Sequence, residues 1–179
     1  MDNAGKIEEI LRAGGFSDFK RIDPQKDVVF AHWVRFKCMY GCGSYGFCTC
    51  CPPAVPPVDV CEKMLREYSL AFIIHVAMQP QASEQTQALT RDFVSLERAV
   101  FLAGYHKAFL LPAHRFCPHA ENCRSGGERA DCANKAHTRP APEAFGIDVF
   151  QTARNAGYAI EVIKARNEVS NRFSFILAE

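Results

Sequence analysis

Nine cysteines in 179 residues, five of them within fourteen consecutive positions, constrain this chain more than any other feature. The first run reads Cys38-Met39-Tyr40-Gly41-Cys42-Gly43-Ser44-Tyr45-Gly46-Phe47-Cys48-Thr49-Cys50-Cys51-Pro52-Pro53. A second group is Cys117-Pro118-His119-Ala120-Glu121-Asn122-Cys123, followed by Cys132 with Gly126 and Gly127 between. Cysteine can staple a fold, ligate a metal or act as a small buried hydrophobe. A chain of this length, 48% apolar, buries a core without staples, and an odd number of thiols fits complete pairing badly. Chance burial covers one or two thiols but hardly two local concentrations. Clustered thiols in a reducing compartment therefore point to metal ligation or redox chemistry.

Few other function classes compete. A formal charge of +1, from 21 basic and 20 acidic residues, creates no field that attracts nucleic acid or anionic lipid, and no basic patch stands out. The stretch from Met1 to Gly14 carries acidic residues and lacks the basic, apolar and small-residue parts of a secretory signal. No run approaches membrane-spanning length. The expectation is a cytoplasmic protein with no nucleic-acid or membrane partner.

Periodicity sketches the fold. Ile7, Ile10 and Leu11 share a helical face that ends at Gly14 and Gly15. Val28 to Lys37, rich in branched and aromatic residues, predicts a strand leading into Cys38. After prolines at 52, 53, 56 and 57, Asp59 and Glu62 have capping-box spacing ahead of a helix with Cys61, Met64, Leu65 and Tyr68 on one face. Leu70 to Met78 is almost continuously apolar and predicts the central strand. From Ser83 a helix carries Leu89, Phe93, Leu96, Val100 and Ala103 as a core stripe, stopped by Gly104. Lys107 to Leu111 predicts a strand ended by Pro112. Pro142 suits the start of one helix burying Ile147, Phe150 and Ala153, closed by Gly157. Tyr158 to Lys164 and Arg172 to Ala178 predict a closing hairpin. The expected fold is α/β: one domain over residues 1–179, with a mixed central sheet, flanking helices and two cysteine-rich loops that follow strands.

Glycines at 41, 43 and 46 let the first loop bring amides close to a metal, where hydrogen bonds to thiolate sulfur tune the site. His114, His119 and His137 flank the second group; imidazole ligates zinc and some iron-sulfur centres, although each is individually expected as a solvated loop residue. Cys51-Pro52 and Cys117-Pro118 echo the Cys-Pro that closes ferredoxin motifs, without the ferredoxin spacing. Cys61 belongs to the core by its helical face. Arg139 and Asp148 are candidates for positioning a substrate or the second loop, with a capping or surface salt-bridge role the stronger expectation for both.

The chain resembles a family described only as predicted metal-binding proteins, domain of unknown function 2284. The resemblance rests on Trp33-Val34-Arg35-Phe36-Lys37-Cys38-Met39-Tyr40-Gly41-Cys42, on Cys51-Pro52-Pro53, on Leu102-Ala103-Gly104-Tyr105-His106-Lys107-Ala108-Phe109, and on Arg139-Pro140 with Glu143-Ala144-Phe145-Gly146-Ile147-Asp148-Val149-Phe150. It implies a ligand pool of Cys38, Cys42 and Cys51 with Cys117, Cys123 and Cys132. The chain departs from the pattern at Ala120, where the family usually has a further cysteine. Cys48, Cys50 or His119 is the expected replacement.

Two functions follow as expectations. The first is an iron-sulfur protein, with a 4Fe-4S cluster for electron transfer or redox chemistry and a redox partner. The alternative is a zinc-binding module or a metal carrier that hands its ion to another protein without catalysis. A thiol enzyme, with a cysteine activated by a histidine such as His119, ranks last.

Overall fold

The computed structural model describes residues 3–43, 45–80, 83–113, 132, 136, 138–165 and 167–179. Helix α1 (Asn3–Ala13) precedes strand β1 (Phe19–Ile22), α2 (His32–Gly41) and α3 (Val58–Leu65). Strand β2 (Ala71–Met78), α4 (Ser83–Leu102), β3 (Phe109–Leu111), α5 (Pro142–Phe145), α6 (Val149–Asn155) and β4 (Ser170–Leu177) complete the order. The α/β class is as expected, and the apolar run that predicted a central strand forms β2.

The four strands lie in the order β1-β2-β4-β3. Strand β2 pairs with β1 from Ile22↔Ala71 to Phe19↔Ile74 and with β4 from Ala71↔Leu177 to Met78↔Ser170. Alternation along β2 sends Phe72 and Ile74 to one face, and Ala71 and Ile73 to the other. On the first face α1 and α4 supply Ile7, Leu11, Phe93, Leu96 and Val100, with Phe16 stacked on Phe93 at 4.8 Å. On the second, α3, α5 and α6 supply Cys61, Leu65, Ala144, Phe145 and Ala153. Both faces are thus covered, which explains why β2 is apolar at every position but His75.

Several expectations are corrected. Every pairing between described strands is antiparallel, so the sheet is not mixed. The segment 28–37 is not a strand: only Phe30 makes a bridge, to Ile147, and α2 begins at His32. The first cysteine run consequently begins inside α2, which carries Cys38 and is capped by Cys42, whereas β3 does precede the second. Residues 158–164 form no strand because both edges of β4 are already taken, by β2 and β3. The helix expected from Pro142 is two helices, broken where Gly146 adopts φ +90°. Asp148 restarts the chain as the cap of α6, accepting Gln151 N–H at 3.0 Å. Asp59 sits in the first turn of α3 rather than at its cap, which is Pro57. Among the described residues, no helix is long and apolar enough to cross a membrane.

Candidate metal centre

Helix α2 buries only Val34, while Trp33, Phe36, Met39 and Tyr40 stay exposed, so core packing alone does not hold it. Arg35 does much of the holding. Its guanidinium donates to Pro56 O at 3.1 Å, Val55 O at 3.2 Å and Ala144 O, joining α2 to the segment after the cysteines and to α5. Ala31 N–H donates to Gly146 O at 2.8 Å, and Asp148 N–H to Val29 O at 2.8 Å, closing the same seam. Hydrogen bonds to a charged donor contribute roughly 1.5–3 kcal/mol each, comparable with burying a whole aliphatic side chain.

Beyond Cys42 the chain turns tightly. Gly46 takes φ +73°, open to glycine at no steric cost, and its N–H donates to Pro52 O at 2.8 Å. Cys51 N–H donates to Cys48 O at 3.0 Å, folding the four residues 48–51 into one turn. That turn drives three sulfurs inward. Cys48, Cys50 and Cys51 are 2%, 1% and 8% exposed and form a buried cluster of their own. Their Sγ atoms lie within 4.8 Å of one another, with Cys48 at 3.0 Å from Cys50 and 3.4 Å from Cys51. A disulfide needs about 2.05 Å, so these are not covalent contacts.

Three sulfurs so close and so dry are poorly suited to charge on their own. Hydrogen bonds to the Cys48 and Cys51 sulfurs, and then burial, push the Cys50 thiol far above the ordinary cysteine range. A bound cation reverses that preference, because it stabilises the thiolates that burial disfavours. The donor set fits one thiophilic ion. Metal–sulfur bonds of about 2.3 Å in a tetrahedron place sulfurs roughly 3.8 Å apart, so the Cys48–Cys50 and Cys48–Cys51 contacts have to open by less than about 1 Å. Next to it, Thr49 is buried, and its Oγ1 has no hydrogen-bond partner among the described residues.

Cys38 and Cys42 are placed differently. Four residues apart on α2 and its C-cap, they line a cavity of about 1040 Å³ together with Glu143, Trp33, Tyr40 and Phe150. Burial, then the Cys42 and Glu143 charges, push the Cys38 thiol up, while Arg35 pulls it down. Burial likewise raises the Glu143 carboxyl. Of the expected pool, then, Cys51 is brought together with Cys48 and Cys50, whereas Cys38 and Cys42 do not join their contact group. Cys132 is buried. Cys117, Cys123 and His119, with the flanking His114 and His137, lie outside the described residues. Cys61 is core, its thiol pushed up to about 11 by burial and set against Pro56 O at 3.4 Å.

Arg139 binds Glu97 in two places, Nε to Oε2 at 2.8 Å and Nη2 to Oε1, and Glu97 also accepts Leu110 N–H at 2.8 Å. This pair ties α4 and β3 to the segment after Cys132. Two features went unread in the sequence. Cys48 and Cys51 carry the Cys-x-x-Cys spacing of metal knuckles, hidden because Cys50 interrupts it. Glu143 stands in one of the runs that carry the family resemblance, but its place beside Cys38 comes from the α2–α5 seam and is not written in local sequence.

The family model described as "predicted metal-binding protein", domain of unknown function 2284, matches residues 20–178. The chain belongs to that family. The family's description and the clustered thiols agree on metal binding and go no further in naming the ion. No curated protein and no solved structure matches the chain.

Proposed function

We propose that the protein retains one thiolate-bound metal ion, of zinc type, on Cys48, Cys50 and Cys51. The single observation that carries this is the mutual approach of three buried sulfurs to within 4.8 Å. Thiolates that share one ion sit this close. Thiolates on different irons of a cubane stand farther apart, each on its own corner. Burial of the trio favours a centre that is kept over one that is passed on, because releasing the ion would require opening the turn.

An iron-sulfur centre for electron transfer is the second reading. It is favoured by the supply of thiols, since Cys38, Cys42, Cys51, Cys117, Cys123 and Cys132 exceed the four a 4Fe-4S cluster requires. Zinc, iron and acid-labile sulfide measured on anaerobically purified protein separate the two. The expected result is one zinc per chain, without sulfide, held less tightly in Cys50→Ser. Iron and sulfide in comparable amounts would select the cluster, and protein without any metal would refute both.

A further inference from the structure

The second thiol pair is not used by the buried trio and has its own surroundings. On a helix, residues four apart stand on one face, and two ligands at that spacing are how helical zinc sites take two bonds from one element. Cys38 and Cys42 have this spacing and line the same cavity, and Glu143 reaches it from the first turn of α5. The elements carrying these donors are fixed to one another by contacts that spare the donors themselves: the Phe30↔Ile147 bridge, Ala31 N–H to Gly146 O, and Arg35 to Ala144 O.

We propose that Cys38, Cys42 and Glu143 form a second, exchangeable cation site for a borderline divalent ion such as zinc, distinct from the buried trio. Two sulfurs and a carboxylate oxygen are a normal zinc donor set, and three protein ligands leave a fourth position. That position faces the cavity of about 1040 Å³, whose walls include Trp33, Tyr40, Phe150 and Val162. A small donor molecule or water can therefore enter from solvent. The donor atoms of Cys38, Cys42 and Glu143 are more loosely gathered than those of the trio, which alone among the described residues lie within 4.8 Å of one another. Uptake thus requires side-chain rotation, for which the exposed Cys42 at the end of α2 has room.

Accessibility separates the two sites in one experiment. Cys42 is exposed and Cys38 half-buried, against a buried trio, so an alkylating reagent reaches the pair first. Full-length protein, dialysed against a chelator, is treated with iodoacetamide with and without added zinc, and each cysteine is quantified by tandem mass spectrometry. Zinc at about ten times its dissociation constant should slow alkylation of Cys38 and Cys42 together by roughly tenfold. In Glu143→Gln, the zinc concentration for half-protection should rise on the order of tenfold or more. Equal rates with and without zinc, or protection of one thiol alone, would overturn the proposal. Unchanged half-protection in a folded Glu143→Gln would remove Glu143 and also overturn the site as stated. The wild-type comparison decides the thiol pair whatever the variant does. The trio is read separately in the same spectra, so failure of the buried centre and failure of this site look different.

Discussion

Gly146 sets the angle between α5, which carries Glu143, and α6, and substituting it is the sharpest test of the seam on which the site is built. Its φ of +90° is open to glycine and disfavoured for other residues. A Cβ there would stand 2.7 Å from Val58 Cγ2 and 2.8 Å from Cγ1, both on a β-branched side chain with little room to yield. Gly146→Ala therefore incurs two costs: about 1–2 kcal/mol for a left-handed alanine and about 1–3 kcal/mol for overpacking. The sum is roughly 2–5 kcal/mol, readable as a lowered urea midpoint at unchanged slope. Val58→Ala removes the clashing methyls, so in that background Gly146→Ala should cost only the backbone part, about 1–2 kcal/mol. Strictly additive effects of the two substitutions would refute the reasoning, because they would mean that Val58 and the new Cβ do not meet.

Arg139→Leu should destabilise the protein by about 3 kcal/mol, the low end for breaking a buried pair, because Glu97 and Arg139 keep 14% and 19% of their side chains exposed; a change below about 1 kcal/mol in chemical denaturation would contradict this. Cys61→Ala should cost about 1–2 kcal/mol of packing and leave metal content unchanged by elemental analysis; loss of metal would make Cys61 a ligand. In metal-free protein the raised Glu143 carboxyl binds its proton more tightly folded than unfolded, so stability is fullest below the unfolded-state value and falls as pH rises through the folded one. Glu143→Gln should flatten that decline in denaturation curves taken across the acid to neutral range, and an identical pH profile would show the carboxyl to be unperturbed.

Much of the scaffold was legible because its signals are local and undivided. The run before Met78 is apolar except at His75 because both faces of β2 are covered, and Phe93, Leu96 and Val100 repeat at helical spacing because α4 has one buried face. Helix α2 was misread for a physical reason. Its aromatic residues face solvent and a cavity instead of the core, so the pattern of a buried helical stripe is absent and β-favouring composition prevails. Strand β1, four residues long, offers too short a pattern to stand out beside its loops. The break at Gly146 comes from a backbone conformation that one glycine among eleven does not announce. At the site, thiol clustering marked the right loop. The division of its five thiols into a buried trio and a cavity-lining pair depends on the turn at residues 48–51 and on the helical phase of Cys38 and Cys42, neither of which thiol count reveals.

The central claim is that Cys48, Cys50 and Cys51 bind the same ion. X-ray absorption at the metal edge of anaerobically purified protein, wild type beside Cys50→Ser, tests it most directly. The expected spectrum shows a sulfur-dominated shell at about 2.3 Å that loses one sulfur in the variant. A shell of nitrogen and oxygen alone, or a sulfur shell that Cys50→Ser leaves intact, would contradict it.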